Sequence, residues 1–209
     1  MSDPSAEAIE RGRLLFCGPC AFMLGVVAMD GLPPEGPAEI AFAGRSNVGK
    51  SSLLNALTDR RNLARASTTP GRTQEINFFD LGGRLRLVDL PGFGYARAAR
   101  KDVKRWSGLI KEYLKGRPTL RRVCLLVDSR HGLKDIDTEV MTLLDQSAVN
   151  YQIVLTKTDK VKATDLEKVA AEVAAAIRRR PAAHPTVIAT SAETGEGMAQ
   201  LRAELAAFA

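Results

Sequence analysis

Ile40-Ala41-Phe42-Ala43-Gly44-Arg45-Ser46-Asn47-Val48-Gly49-Lys50-Ser51-Ser52-Leu53-Leu54 is a short apolar run, a loop bounded by two glycines, and a start of helix-forming residues. It reads as strand, phosphate loop and helix. Gly44 and Gly49 let the backbone turn through unusual dihedrals and approach a ligand closely, so the N–H groups of Arg45, Ser46, Asn47 and Val48 point into one concavity. The helix that starts at Lys50 adds the positive end of its dipole beneath them. An anion belongs there: Lys50 is placed to reach β- and γ-phosphates, and the Ser51 hydroxyl to ligate Mg²⁺.

Outward from this loop, toward the N-terminus, Pro33-Pro34-Glu35-Gly36-Pro37 interrupts regular structure, separating residues 1–37, a segment expected to pack on the domain, from a main domain at 38–209. The uncharged run Leu14 to Met29 is broken by Gly18, Pro19 and Gly25 and follows Asp3, Glu7, Glu10, Arg11 and Arg13, so it reads as soluble chain and not as a signal or a membrane span. Within it, Cys17-Gly18-Pro19-Cys20 has the form of a thioredoxin redox motif, but no room is left for the βαβ unit such a motif needs. Three cysteines make no disulfide framework and supply too few ligands for zinc, which points to a reducing, cytoplasmic setting.

Toward the C-terminus, strands alternate with helices. A polar loop at 59–73 precedes strands at 74–80 and 84–90, joined across Leu81-Gly82-Gly83 as a hairpin. A helix at 102–115 carries Val103, Trp106, Leu109, Ile110, Tyr113 and Leu114 at three-to-four spacing. The apolar run Val123 to Val127 is that of a strand buried on both faces. Helices at 136–146, 163–179 and 197–208 and strands at 151–156 and 186–190 complete the order. This is an α/β chain with a doubly wound, mostly parallel sheet of six strands, one of them antiparallel. Ligands in such sheets bind at the carboxyl ends of the strands, where every chemical-looking motif of this chain falls.

Those motifs define a nucleotide. Asp89, in Asp89-Leu90-Pro91-Gly92, lies at a strand end about 40 residues after Lys50 and suits the carboxylate that holds Mg²⁺ through water. The Gly92 N–H can bond a γ-phosphate and make its loop sensitive to that group. Thr73 is the candidate second hydroxyl ligand of Mg²⁺; Thr68 and Thr69 carry the same chemistry. Thr156-Lys157-Thr158-Asp159 selects the base: the Asp159 carboxylate can accept from guanine N1–H and the exocyclic amino group, a donor pair adenine lacks, while the Lys157 stem covers the ring. The first position of such a motif is more often Asn, whose amide ties it to the phosphate loop, a tie Thr156 replaces only in part. Ser191-Ala192, after the next strand, adds a backbone N–H for guanine O6; Ala189, Thr190 and Ser191 are the candidate contacts there.

In these residues the chain resembles the translation-factor-related GTPases, and within them the EngB-type ribosome-biogenesis GTPases. Residues 38–208 carry the resemblance, through Glu39 to Ser52, Thr69-Pro70-Gly71-Arg72-Thr73-Gln74, Asp89-Leu90-Pro91-Gly92-Phe93-Gly94-Tyr95-Ala96 and Asp128-Ser129-Arg130-His131. The usual Phe-Ser-Ser is Ala189-Thr190-Ser191 here. The resemblance implies a P-loop GTPase fold, with Gly71, Arg72, Gln74 and Glu75 also near the nucleotide. It further implies a small cytoplasmic bacterial GTPase that acts in large-ribosomal-subunit assembly and whose loss disturbs division and septation. Where regulatory GTPases use Gln to orient the attacking water, this chain has Phe93, so turnover is expected to be slow. Asn47 stands where related GTPases hold a K⁺ in place of an arginine finger; Lys50, Asn47, Thr73 and Gly92 are thus the residues expected to serve hydrolysis.

Charge points to the partner. The chain carries a formal +6, and between Arg97 and Arg122 ten Lys and Arg face only Asp102 and Glu112. Such a cluster after the γ-phosphate-sensing loop suits rRNA of the large subunit or its precursor; neither DNA nor a membrane is expected. The other readings are a guanine-nucleotide-dependent scaffold with negligible hydrolysis and, more remotely, a P-loop kinase.

Overall fold

The structure, a computed structural model, describes residues 4–64, 75–93 and 108–209. Expectations for Thr68 to Gln74, for Gly94 to Ala96 and for the first half of the helix at 102–115 fall outside the described residues.

The strands are β1 (Cys20–Val26), β2 (Ala38–Gly44), β3 (Ile76–Leu81), β4 (Leu85–Asp89), β5 (Leu120–Asp128), β6 (Tyr151–Thr156) and β7 (Ile188–Ala189). The helices are α1 (Ala6–Phe16), α2 (Lys50–Leu57), α3 (Leu109–Gly116), α4 (Asp135–Gln146), α5 (Ala163–Ile177) and α6 (Met198–Leu205). The sheet order is β1-β3-β4-β2-β5-β6-β7. Strand β3 runs antiparallel to both of its neighbours, and the remaining pairings are parallel.

The doubly wound, mostly parallel architecture with one antiparallel strand is the one expected, but among the described residues the sheet has seven strands in place of the expected six. The seventh is β1, inside the uncharged run Leu14 to Met29. Among the described residues it pairs only with β3, and its register shifts between Phe22 and Leu24. An edge strand with a bulge shows no clean two-residue alternation, so its sequence carries no strand signal. The last strand is also shorter than expected, with only Ile188 and Ala189 paired to β6.

Side chains alternate across the sheet and build two cores. Ile40 and Phe42 of β2, with Cys124 and Leu126 of β5, pack against Leu15 and Phe16 of α1, Leu53, Leu54 and Leu57 of α2, and Leu201 and Leu205 of α6. Ala41, Ala43, Val123, Leu125 and Val127 face the other way, onto Tyr113 of α3, Met141 and Leu144 of α4 and Val173 and Ile177 of α5. Strands β2 and β5 are therefore apolar on both faces, as central parallel strands must be. Among the described residues no helix is long and apolar enough to cross a membrane.

Under the sheet, Glu39 is fully buried at the start of β2. Its carboxylate accepts from Arg117 Nε at 3.0 Å and from the Tyr113 hydroxyl at 3.0 Å, with Arg86 Nη1 at 3.5 Å. This pairing holds the amino end of β2 against β4 and α3, at the opposite end from the phosphate loop.

Candidate functional site

The loop between β2 and α2 is shaped by two conformations that few residues adopt. Gly49 sits at φ +106° as the N-cap of α2, and Asn47 at φ +62°. Gly44 is required by space: a Cβ there would lie 2.8 Å from Val48 Cγ1 and 3.1 Å from the Leu126 carbonyl oxygen.

Strand register delivers the second motif to this loop. Phe42 of β2 pairs with Asp89 of β4, so the carboxylate at the end of β4 emerges beside the loop, where it forms an ion pair with Lys50. Residues 90–93 then run along the loop as a strand would. The Leu90 N–H donates to Phe42 O at 3.0 Å, Phe93 N–H to Gly44 O at 3.2 Å, and Ser46 N–H to Phe93 O at 2.9 Å. Gly92 lies close against Ser46: a Cβ there would come 3.3 Å from Ser46 Oγ, tighter than an ordinary contact. The Phe93 side chain is only 2% exposed and joins the core of Val26, Ile76 and Tyr113. Phe93 thus serves the site through its backbone, clamping the Asp89–Gly92 loop to the phosphate loop. Its ring is in the core.

Ser51 follows Lys50 in the first turn of α2. The Ser51 hydroxyl and Asp89 carboxylate are hard oxygen donors of the kind Mg²⁺ takes. Their arrival on neighbouring elements fits such an ion.

The base-selecting motif comes from β6. Asp128 ends β5 opposite Thr156, the last residue of β6, and Leu155 pairs with Ala189 of β7. Thr156 is 3% exposed, and its hydroxyl donates to Val48 O at 2.6 Å. Thr156 thus makes one hydroxyl bond to the phosphate loop, where the more usual residue would use an amide. Lys157, at φ +60°, sends its ammonium to Asn47 O at 2.6 Å and to Asp128 Oδ2 at 2.9 Å. Its stem crosses the loop at Gly49, where Cε lies 3.6 Å from the place a Cβ would take.

Asp159 Oδ1 accepts from the Ser191 hydroxyl at 2.7 Å and Oδ2 pairs with Lys160 Nζ at 2.9 Å. Lys160 first, then Ser191, hold the Asp159 carboxyl below the ordinary carboxylate range, so it stays an acceptor. Ser191 also receives the N–H groups of Glu193 and Thr194 on its hydroxyl, while its own N–H is bonded to Glu196 O at 3.0 Å. The Ala192 N–H is thus better placed than that of Ser191 to serve a ligand. Thr158 and Thr190 are buried braces: the first hydroxyl reaches Glu196 at 3.2 Å, the second Leu155 O at 2.7 Å.

Of the residues singled out in the sequence, Gly44 to Ser51, Asp89 to Gly92, Thr156 to Asp159 and Ala189 to Ser191 meet along one edge of the sheet. Glu75 is exposed just before β3, with its carboxylate over Gly25 of β1. Gly71, Arg72, Thr73 and Gln74 lie outside the described residues.

Two carboxylates of the site carry no role in the sequence reading: Asp128, quoted only within Asp128-Ser129-Arg130-His131, and Asp137. Asp128 anchors Lys157. Asp137 of α4 is completely buried, accepts the Lys134 N–H at 2.9 Å and pairs with Arg45 Nε at 3.4 Å, tying the phosphate loop to α4. Burial pushes the Asp137 carboxyl up, against the pull of Lys134 and Arg45. The signal for Asp137 was its place three residues after Lys134 at a helix start; for Asp128, its place at the end of an apolar strand.

Comparison with known proteins places the chain in a family. Residues 39–157 match the family model described as "50S ribosome-binding GTPase". Curated proteins named "Probable GTP-binding protein EngB" are similar over nearly the whole chain. The one from Ruegeria pomeroyi is 59% identical, covering 98% of this chain and 94% of its own length; that from Rhodospirillum rubrum is 57% identical, covering 99% and 92%. A crystal structure of a probable GTP-binding protein engB shares the fold, with a TM-score of 0.62 at 24% identity, over 81% of this chain and 98% of the other. By its sequence over its full length and by its fold, the chain belongs to the EngB family of GTP-binding proteins, within the P-loop GTPases.

Proposed function

We propose that this protein is a GTP-operated switch that binds the large ribosomal subunit or its precursor during assembly in the cytoplasm, and whose loss impairs division and septation. What carries the reading is the match of Glu39 to Lys157 with a family described as 50S ribosome-binding GTPases. The basic surplus between Arg97 and Arg122 supports it: of that stretch, Lys111, Lys115 and Arg121 are exposed among the described residues, and cations of this kind suit RNA phosphates.

In this reading the N–H groups of residues 45–48 and Lys50 cradle the phosphates, Lys50 exchanging Asp89 for the β- and γ-oxygens. Ser51 and Thr73 would supply hydroxyl ligands for Mg²⁺, and Asp89 would hold it through water; such an ion, when bound, would offset charge on the phosphates. The Lys157 stem covers guanine, and Asp159 receives its N1–H and amino group. Gly92 senses the γ-phosphate: a third phosphate at the Ser46 N–H competes with Phe93 O, and the loop from Asp89 follows.

With the Phe93 ring in the core, no side chain at that position orients water, and intrinsic hydrolysis is slow. Asn47, with the loop at 59–73, would hold a K⁺ that supplies positive charge as the γ-phosphoryl departs. Turnover is faster in KCl than in NaCl; equal rates in the two salts overturn the K⁺ role.

The ribosomal reading is tested by retaining large-subunit particles on the immobilised protein with GDP or with a non-hydrolysable GTP analogue. Retention with the analogue, lost with GDP and falling steeply with salt, is expected. Retention that ignores both nucleotide and salt refutes it. The buried Phe93 ring also favours a scaffold that binds guanine nucleotides with negligible hydrolysis; turnover that stays at background with particles added selects that reading.

A further inference from the structure

We propose that Asp128 and Arg130 are positioning residues that act through Lys157 to set the affinity for guanine nucleotides. The inference rests on the reading of Lys157 as the lysine that covers the base.

A lysine ammonium on its four-carbon stem is a mobile point charge, and ordering it costs conformational entropy. Here the head is held between two acceptors, Asn47 O at 2.6 Å and Asp128 Oδ2 at 2.9 Å, with the stem lying across Gly49. The backbone acceptor is a fixed part of the phosphate loop. The carboxylate is not fixed by itself, because the terminal torsion of an aspartate is broad.

Arg130 supplies what is missing. Its Nε donates to Asp128 Oδ1 at 2.9 Å, its Nη2 to Oδ2 at 2.8 Å, and its backbone N–H to Oδ1 at 3.0 Å. This is a two-pronged fork plus a turn bond, the geometry by which arginine locks a carboxylate plane. Asp128 is nearly buried, so desolvation raises its pKa, but the bonds from Arg130 and Lys157 together outweigh it and hold the group ionised. The Ser129 hydroxyl, bonded to Lys157 O at 3.1 Å, ties the same turn to the backbone of the lysine. Every residue from Asp128 to Arg130 therefore braces Lys157 or its anchor.

Arg130 also suits a test. Its side chain is 42% exposed and packs in neither core, so removing it perturbs folding little. Lys157 would then be held by one fixed acceptor and one carboxylate free to rotate.

The experiment measures GDP affinity and dissociation rate, by fluorescence of a labelled GDP, for the parent, Arg130→Ala, Arg130→Lys, Asp128→Asn, Lys157→Ala and the Arg130→Ala/Lys157→Ala double variant. Arg130→Ala is expected to weaken GDP about three- to tenfold, chiefly by faster release, with the melting temperature of the nucleotide-free protein little changed. Arg130→Lys, which keeps charge but not the fork, falls in between, and Asp128→Asn resembles Arg130→Ala. In the Lys157→Ala background, Arg130→Ala adds nothing. Unchanged affinity in Arg130→Ala, or effects of the two substitutions that simply add, overturns the proposal while Lys157 keeps its role. Unchanged affinity in Lys157→Ala overturns both the proposal and the site reading beneath it.

Discussion

Removing the Thr156 hydroxyl while keeping the side-chain shape probes the tie between base motif and phosphate loop. In the Thr156→Val protein the Val48 carbonyl loses a donor now at 2.6 Å, and the second contact, to Val127 O at 3.4 Å, is lost as well. Thr156 and Val48 are 3% and 2% exposed, so water does not readily replace the bond. A buried polar group left without its partner costs about 1–3 kcal/mol. If the whole cost is felt in the loop's readiness for phosphates, GDP dissociation constants rise roughly 5- to 160-fold. Thr156→Asn restores an N–H donor and is expected to stay within about threefold of the parent. Calorimetric titration with GDP, beside urea denaturation of each nucleotide-free protein, separates lost binding from lost stability. A Thr156→Val protein that binds GDP as tightly as the parent refutes the reasoning, since the loop would then hold its shape without this bond.

Two further outcomes concern stability. Glu39→Gln breaks a buried carboxylate pairing with Arg117 and Arg86 and is expected to cost about 3–5 kcal/mol in urea unfolding; because Glu39 lies at the far end of β2, GDP affinity in the folded protein stays at the parent value. His184 is the second case: burial, then Arg122, lower its pKa, and its neutral Nδ1 accepts the Thr186 N–H at 3.3 Å. An unfolded imidazole titrates near about 6.5, above the folded value, so the unfolded chain binds more protons between the two and stability falls as pH drops below that point. The urea midpoint should decline from neutral pH toward acid in the parent, and less in His184→Gln; parallel declines would remove His184 as the cause.

Much of the site was legible because its chemistry is local. The loop from Gly44 to Ser51 carries its own turn residues and its own helix start. Thr156-Lys157-Thr158-Asp159 likewise carries its lysine and carboxylate in one short stretch at the end of a strand. The phosphate-loop strand and β5 announced themselves as apolar runs, since both faces are covered. Strand β1 did not: with one neighbour, a bulge at Met23 and half-exposed residues, its sequence obeys no single period. The bond by which Thr156 ties to the phosphate loop was not legible, because its partner, Val48 O, is 108 positions away.

The identity of the reacting groups, the order of the motifs and the doubly wound plan are properties of the sequence alone, because residue type and local periodicity dictate them. Which groups touch is decided by the fold. Parallel register sets Asp89 beside Lys50, Asp128 beside Lys157, and the Phe93 backbone beside Ser46. Those pairings depend on how separate strands align in one sheet, and no local stretch of chain carries that alignment.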